Sequence, residues 1–543
     1  MSIALLLFAA FLAPPEAPAP LAAIEGRVVH ASTGAPLRKV TISLHKVATT
    51  ENIGYGTMTD AEGRFAMRDL EAGGYILMAG RNGFVRQQYG AKRPGRTGAI
   101  LTLTPGQKMT ELLIRMAPHA VITGRVVDTD NEPVGGAQVQ LMQPQYLRGK
   151  RELQGTGFSS TNDLGEYRIY GVGPGRYYLN VNYRGEQNFG TADRSAAATP
   201  QEGFLPVYYP GVPDVAAATP LDVPPGGELR GINVTLRQVK AVRIRGKVTG
   251  LPPGQYAMAV LTPNTPASRS FVSPQMNMVS QKDGSFEIKG VTPGSYYLTS
   301  MAMSNQKDRL TARALLEVGS DDVEGANLTL SSGTDIKGIV KVEGGELDPS
   351  TLHVSAAPTQ MNMMGSGFAN AAPKPDGTFT WEGMSAENVY IQVSGLKPGA
   401  YLKSIRVADH EVTDPVDLGA AAGGLELLVS LNGATVQGAV KASGPKPPAG
   451  ASVVLVPDAE HANLDSWYHS ATTDQDDRYK LESVRPGKYT LYAFEDLEPG
   501  SYMEPGFLKA FSKYALPVEL AEKAHVELQP ELIPLSAMDG STQ

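Results

Sequence analysis

One phrase recurs five times in this chain, and it constrains the fold more than any other feature. It appears as Asp60-Ala-Glu-Gly63-Arg-Phe65, Asp163-Leu-Gly165-Glu-Tyr167, Asp283-Gly284-Ser-Phe286, Asp376-Gly377-Thr-Phe379 and Asp476-Asp-Arg-Tyr479. A second aromatic follows each copy: Tyr75, Tyr177, Tyr296, Tyr390 and Tyr489. The spacing between the two aromatics is 10, 10, 10, 11 and 10 residues. A second phrase opens each unit: Ile24-Glu-Gly26-Arg-Val28, Ile122-Thr-Gly124-Arg-Val126, Ile244-Arg-Gly246-Lys-Val248, Ile336-Lys-Gly338-Ile-Val340 and Val436-Gln-Gly438-Ala-Val440. Successive opening glycines lie 98, 122, 92 and 100 residues apart. That is the size of one small domain, so a repeat of five units fits the length better than one large core. The expected boundaries are a signal peptide at 1–23, units at 24–119, 120–241, 242–333, 334–434 and 435–537, and a tail at 538–543.

Within a unit the pattern is that of strands. Gly175-Arg-Tyr177-Tyr-Leu179-Asn-Val181 has a period of two and places Tyr177, Leu179 and Val181 on one face. Ala137-Gln-Val139-Gln-Leu141 and Val40-Thr-Ile42-Ser-Leu44 repeat the alternation. The Asp-to-Gly phrase suits a type I turn closed by a residue tolerant of positive φ. Pro174-Gly175, Pro293-Gly294 and Pro486-Gly487 mark a second turn before the next strand. Leu310–Val318 is read as a short helix, and the insertion around 184–220, rich in Ala, Pro and Gly, as loop. The fold class that follows is all-β: five tandem β-sandwiches in an extended array, with short junctions such as Arg237–Ile244 giving a semi-rigid rod.

Composition narrows the function classes. The chain has no cysteine, which removes disulfides, thiolate catalysis and Cys-ligated zinc together. Ile3–Leu12 is a short apolar run followed by small residues, with Leu21-Ala-Ala23 as the expected cleavage site of an export signal. No Lys or Arg precedes Arg27, a departure from the usual signal pattern. With the signal removed, no apolar segment is long enough to cross a bilayer. The expected location is therefore extracytoplasmic: periplasmic, outer-membrane-associated or secreted. A formal charge of −7 with scattered Lys and Arg argues against nucleic acid as a partner.

The opening Gly-x-Val, the Pro36-Leu or Pro133-Val before the second strand, the Asp–Gly–aromatic turn and the Pro-Gly-x-Tyr together resemble the carboxypeptidase regulatory-like domain. The resemblance covers Ile24 to about Ser536 and implies a transthyretin-like, immunoglobulin-like sandwich, related to the B-type repeats of collagen adhesins. It implies a bacterial secreted or envelope protein. By analogy with starch-binding sandwiches it also implies polysaccharide as a ligand. Two departures stand out: the fourth unit reads Glu387-Asn-Val-Tyr390 in place of Pro-Gly, which suggests a shifted strand order, and the fifth has Asp477 for the turn glycine. Some relatives form a Lys–Asn isopeptide bond, but Lys247 is the only early-strand lysine matching that pattern and has no recurring Asn partner.

A search for catalytic groups finds none. None of the eight histidines begins His-x-x-Glu or His-Glu-x-x-His, and there is no Gly-x-Ser-x-Gly or Gly-x-x-x-x-Gly-Lys-Ser/Thr phrase. The chain is read as non-enzymatic and without cofactor. Candidate ligand-binding residues are the aromatics Tyr208 and Tyr209 of the insertion, Tyr89 in a weaker echo, Tyr178 and Tyr297 opposite the core face, and Trp467 with Tyr468. These rings suit a sugar, a protein partner, or packing between units. Two metal readings are weaker. His461, Asp465 and His469 together offer a ligand set, and the Met-x-Met phrases at Met276, Met278, Met361 and Met363 offer soft thioether donors for Cu(I). The expected function is a binding or scaffold protein of the cell envelope whose partner is a polysaccharide or an envelope protein. The alternative is a structural spacer or interaction partner of an envelope transporter or secreted hydrolase. The sequence leaves the oligomeric state open.

Overall fold

The computed structural model describes residues 20–47, 54–183, 202–264, 275–303, 310–359, 368–441 and 449–538. The expected signal run and Met361 and Met363 lie outside these residues. The chain is all-β, and its described residues form eleven sheets in tandem sandwiches. In each unit the opening strand runs antiparallel to the strand that follows the Asp turn, and parallel to a late strand. In the first unit, Ala22–His30 pairs antiparallel with Arg64–Leu70 and parallel with Lys108–Met116. Opening strands begin at Ala120, Val242, Thr334 and Ala434 in the later units. Ala22 is buried in the first core, so cleavage after Ala23 would remove a core residue.

The two recurring phrases are two sides of one contact. The opening glycine and the turn aromatic are cross-strand partners in all five units: Gly26 with Phe65, Gly124 with Tyr167, Gly246 with Phe286, Gly338 with Phe379 and Gly438 with Tyr479. In the first four units a Cβ on the glycine would meet the aromatic side chain at 2.2 to 2.9 Å, and in the fifth it would meet the Leu528 carbonyl oxygen, to which the Tyr479 hydroxyl donates, at 1.8 Å. Burial of the ring and absence of a side chain are thus coupled choices. The second aromatic has its own role. The hydroxyls of Tyr75, Tyr177, Tyr296 and Tyr489 each donate to the carbonyl four residues upstream, closing the turn that leads into their strand.

The fourth unit shows what the spacing of eleven does. One extra residue on a strand of period two turns a side chain to the opposite face. Val389 takes the buried position, while Tyr390 points away from the core. This unit also departs in topology, since Tyr401–Val407 joins the sheet of the opening strand through Leu425–Ser430.

Three local expectations are corrected, and one, Asp477 in place of the turn glycine, is met. Leu310–Val318 is a strand, with Leu310, Ala312, Ala314 and Leu316 facing the core at a period of two. Part of the insertion is structured: Glu202–Phe204 pairs with Gln238–Lys240, and Val207–Tyr208 extends the sheet beside Gly175–Asn182. The turn acceptor lies five residues before the aromatic in three units. There Asp60, Asn162 and Asp474 take two backbone N–H groups each, so Asp163 and Asp476 are not the capping residues. Asp477 stands at a φ of 60°, where other units place Gly63, Gly165, Gly284 and Gly377.

The course of the array also differs from the expected extended rod. It folds back, so that the fifth unit touches the first and second. The reason lies in loops that carry specific partners, described next. Residues at sandwich ends have no influence on the period-two pattern that defines each unit, so the pattern carries no information about the angle between units.

Candidate functional site

Two junctions gather the polar and aromatic side chains that a binding site would use. The first joins the first and fifth units. The side-chain amide of Gln475 accepts from the Thr102 N–H at 2.9 Å and donates to the Thr102 carbonyl at 3.0 Å, mimicking a strand partner. Ile100 and Asp474 form a parallel bridge beside it. Arg93 pairs with Asp496 at 2.8 Å, and Arg96 approaches Glu498 at 3.8 Å. Between these contacts lies a cleft of about 1020 Å³, lined among others by Arg96, Asp474, Arg478, Lys480, Asp496 and Tyr502. Burial lowers the Lys92 pKa at its rim, partly offset by Glu495, Asp477 and Asp496.

The second junction brings the second, fourth and fifth units together. The hairpin tip of the second unit seats against the fifth. Gly149 lies where a Cβ would come within 2.5 Å of the Met503 carbonyl, and the Tyr146 hydroxyl donates to Glu504 at 3.0 Å. Arg148, next to that tip, reaches Asp465 at 2.8 Å and lies over the ring of Tyr390, the tyrosine that the extra residue turned outward. Arg485 donates to the Lys403 carbonyl at 2.9 Å, with its guanidinium facing Tyr401 and Trp467. Arg–aromatic contacts of this kind are worth more when desolvated. Burial here raises the Asp414 and Asp465 carboxyl pKa values and lowers that of Arg485.

His469 is packed into this second junction. Its Nε2 has no hydrogen-bond partner among the described residues, and burial, aided by Arg485, lowers its pKa to about 4. The unfolded chain binds a proton near pH 6.5, while the folded chain refuses it until about pH 4. Stability is therefore expected to fall as pH drops through that window, by about 2 kcal/mol after allowing for residual exposure. Urea midpoints of wild type and His469→Gln at pH 7 and pH 4.5 check this; the variant should lose the additional acid sensitivity.

The aromatic candidates are dispersed. Trp467 stacks on His461 at 3.6 Å between ring centres and packs on the fifth core, and the Tyr468 hydroxyl donates to the Ala462 carbonyl. Both make these contacts within the fifth unit, Trp467 also with Arg485 and Tyr489 and Tyr468 with Tyr502. Tyr208 is 9% exposed and Tyr209 packs on the second core, so the insertion aromatics lie on their own sandwich. Tyr89 packs on the first core. Tyr178 and Tyr297 are half-buried on outer faces, the latter under Arg313 at 3.8 Å. No single groove collects these rings. The ligand set of His461, Asp465 and His469 is not assembled: His461 pairs with Asp458 at 2.6 Å, Asp465 with Arg148, and His469 is buried apart. Asp458, Glu460 and His461 do have ligand atoms within 4.8 Å of one another.

Gln475, Arg148 and Arg485 were not marked by the sequence. Asp474-Gln475 was available from the rule that the turn acceptor lies five residues before the aromatic. The arginines carried no signal, because their partners are on distant units.

Among the described residues no helix is long and apolar enough to cross a membrane. Comparison with known proteins adds the following. The search of curated proteins returned no match. Solved structures with similarity include the Bacillus anthracis TIE protein at 11% identity and a TM-score of 0.17, covering 57% of this chain and 51% of that one. A minor pilin of Streptococcus agalactiae follows at 13% identity and a TM-score of 0.23, covering 40% of this chain and 96% of that one. This chain thus spans about half of the first of these proteins. The sequence profile of the carboxypeptidase regulatory-like domain matches residues 23–117 and 121–203. The first two units therefore belong to the carboxypeptidase regulatory-like domain family, and the other three carry the same opening glycine and turn aromatic.

Proposed function

We propose that this chain is a non-enzymatic, extracytoplasmic scaffold of the bacterial cell envelope that works as a closed, preformed body for a protein partner. The observation that carries this reading is the use of side chains at the junctions. Arg148, Tyr390, Arg485 and Gln475 hold one unit to another and do not line an open groove. Fixing the relative positions of the sandwiches before a partner arrives reduces the ordering cost of binding. Small-angle scattering of residues 20–543 tests it: a compact, rigid particle supports the scaffold, and an extended, flexible chain overturns it.

A second reading has a specific observation in its favour. The cleft between the first and fifth units combines a half-buried Tyr502 with both signs of charge, a lining suited to sugar hydroxyls and ring faces. A pull-down on insoluble polysaccharides with wild type, Arg478→Ala/Tyr502→Ala and Tyr208→Ala/Tyr209→Ala separates the cases. Binding lost only in the Arg478/Tyr502 variant places a sugar in the cleft. Binding lost only in the Tyr208/Tyr209 variant places it on the insertion. No binding leaves the protein-partner scaffold.

A further inference from the structure

The third unit carries a feature that neither junction uses. Its larger sheet presents two faces. Ala257, Ala259 and Leu261 of the strand Tyr256–Pro263 point into the core, so Tyr256, Met258, Val260 and Thr262 occupy the opposite face. The register across that sheet places Met278 opposite Met258, and Met258 opposite Met301. Three methionines on three adjacent strands therefore form one cross-strand row on the outer face. Met276 stands in the next row, opposite Val260. Met278 is 50% exposed, while Met258, Met276 and Met301 are half-buried.

Directly opposed residues on neighbouring antiparallel strands have Cβ atoms about 5 Å apart, and methionine has three further rotatable bonds. Thioethers on such a row converge on one point above the sheet without backbone change. A core-filling role does not account for the row, because the core face of the central strand is already filled by the two alanines and Leu261. We propose that Met258, Met278 and Met301, with Met276 beside them, form a thioether site for a soft monovalent cation, Cu(I) or Ag(I).

The donor set fits this class. Neutral sulfur ligands favour Cu(I) over hard divalent cations, and they need no deprotonation. The chain offers no thiolate to compete. Among the described residues Arg313 lies opposite Thr299, in the row of Met276 and one row from Met258, Met278 and Met301, and its guanidinium is drawn over the Tyr297 ring at 3.8 Å. The site is a different surface from the junctions, so the inference stands apart from the scaffold reading.

Ag(I) serves as the redox-inert probe, titrated calorimetrically into the full chain, with ¹³C-methyl methionine spectra recorded in parallel. The expected result is one saturable equivalent, with the methyl signals of Met258, Met278 and Met301 shifting together. Met278→Leu/Met301→Leu, a volume-conserving change, should weaken binding about tenfold or more. Met361→Leu/Met363→Leu should leave it unchanged. Affinity should also be the same at pH 7 and pH 5, unlike that of a histidine site. No saturable binding overturns the proposal, as do unshifted methyl signals, or loss of binding in the Met361/Met363 variant with retention in the other.

Discussion

Gly124→Ala is expected to destabilise the second sandwich by about 3 kcal/mol, the upper range for an overpacked core position. An added Cβ would stand 1.9 Å from the Ile232 carbonyl oxygen and 2.8 Å from the Tyr167 hydroxyl. Those two atoms are hydrogen-bonded to each other at 2.6 Å, so the methyl group would sit on the bond. Neither partner can yield cheaply. Ile232 is held by its N–H to the Thr123 carbonyl, and the Arg125 N–H is bound by Asn233. Gly171→Ala is the control, since it has a φ of 74° but nothing within 4 Å of an added Cβ. It should cost about 1 kcal/mol, from backbone conformation alone. Urea unfolding of both variants decides the matter: equal costs would show that ring-over-glycine packing is not what the opening glycine serves.

Gln475→Ala should loosen the fifth unit from the first. The truncation leaves the Thr102 N–H and carbonyl without the partner that satisfies both, and each half-buried backbone group left unmade carries a desolvation penalty. The expected loss at the contact is about 2 kcal/mol. The surface ion pairs that remain, Arg93–Asp496 and Arg96–Glu498, are partly exposed and contribute little each. An increase in radius of gyration by small-angle scattering, with unchanged circular dichroism, is the expected result. An unchanged scattering profile would mean that the hairpin of the second unit alone holds the fifth in place. Gln475→Glu separates hydrogen bonding from shape: it keeps the acceptor for Thr102 N–H, loses the donor to the Thr102 carbonyl, and should fall between wild type and alanine.

The unit was legible in the chain because its signals are local or nearly so. Strand alternation, the Asp-initiated turn and a fixed aromatic spacing act within about twenty residues, and the same solution recurs five times. The reading of Leu310–Val318 as helix shows the limit of that legibility: its apolar positions are consistent with either period until a neighbouring strand selects one. The candidate rings fared less evenly. Trp467 lies beside the junction arginine Arg485 and Tyr468 packs within the fifth unit, while Tyr208 and Tyr209 lie against their own sandwich, because an insertion rich in apolar residues lowers its free energy by covering the nearest sheet.

What the sequence determined by itself is the sandwich and its repetition: which glycine a ring covers, which tyrosine closes a turn, and, through one extra residue in the fourth unit, which tyrosine faces outward. What only the tertiary structure decided is where those outward groups meet. Arg148 finds Tyr390 and Asp465, Gln475 finds Thr102, and three methionines align in one row. These partners lie up to several hundred residues apart or on different strands, and no period along the chain encodes them. They arise from the angles between packed sandwiches and from strand register, which are set by the sum of many contacts and not by any one phrase.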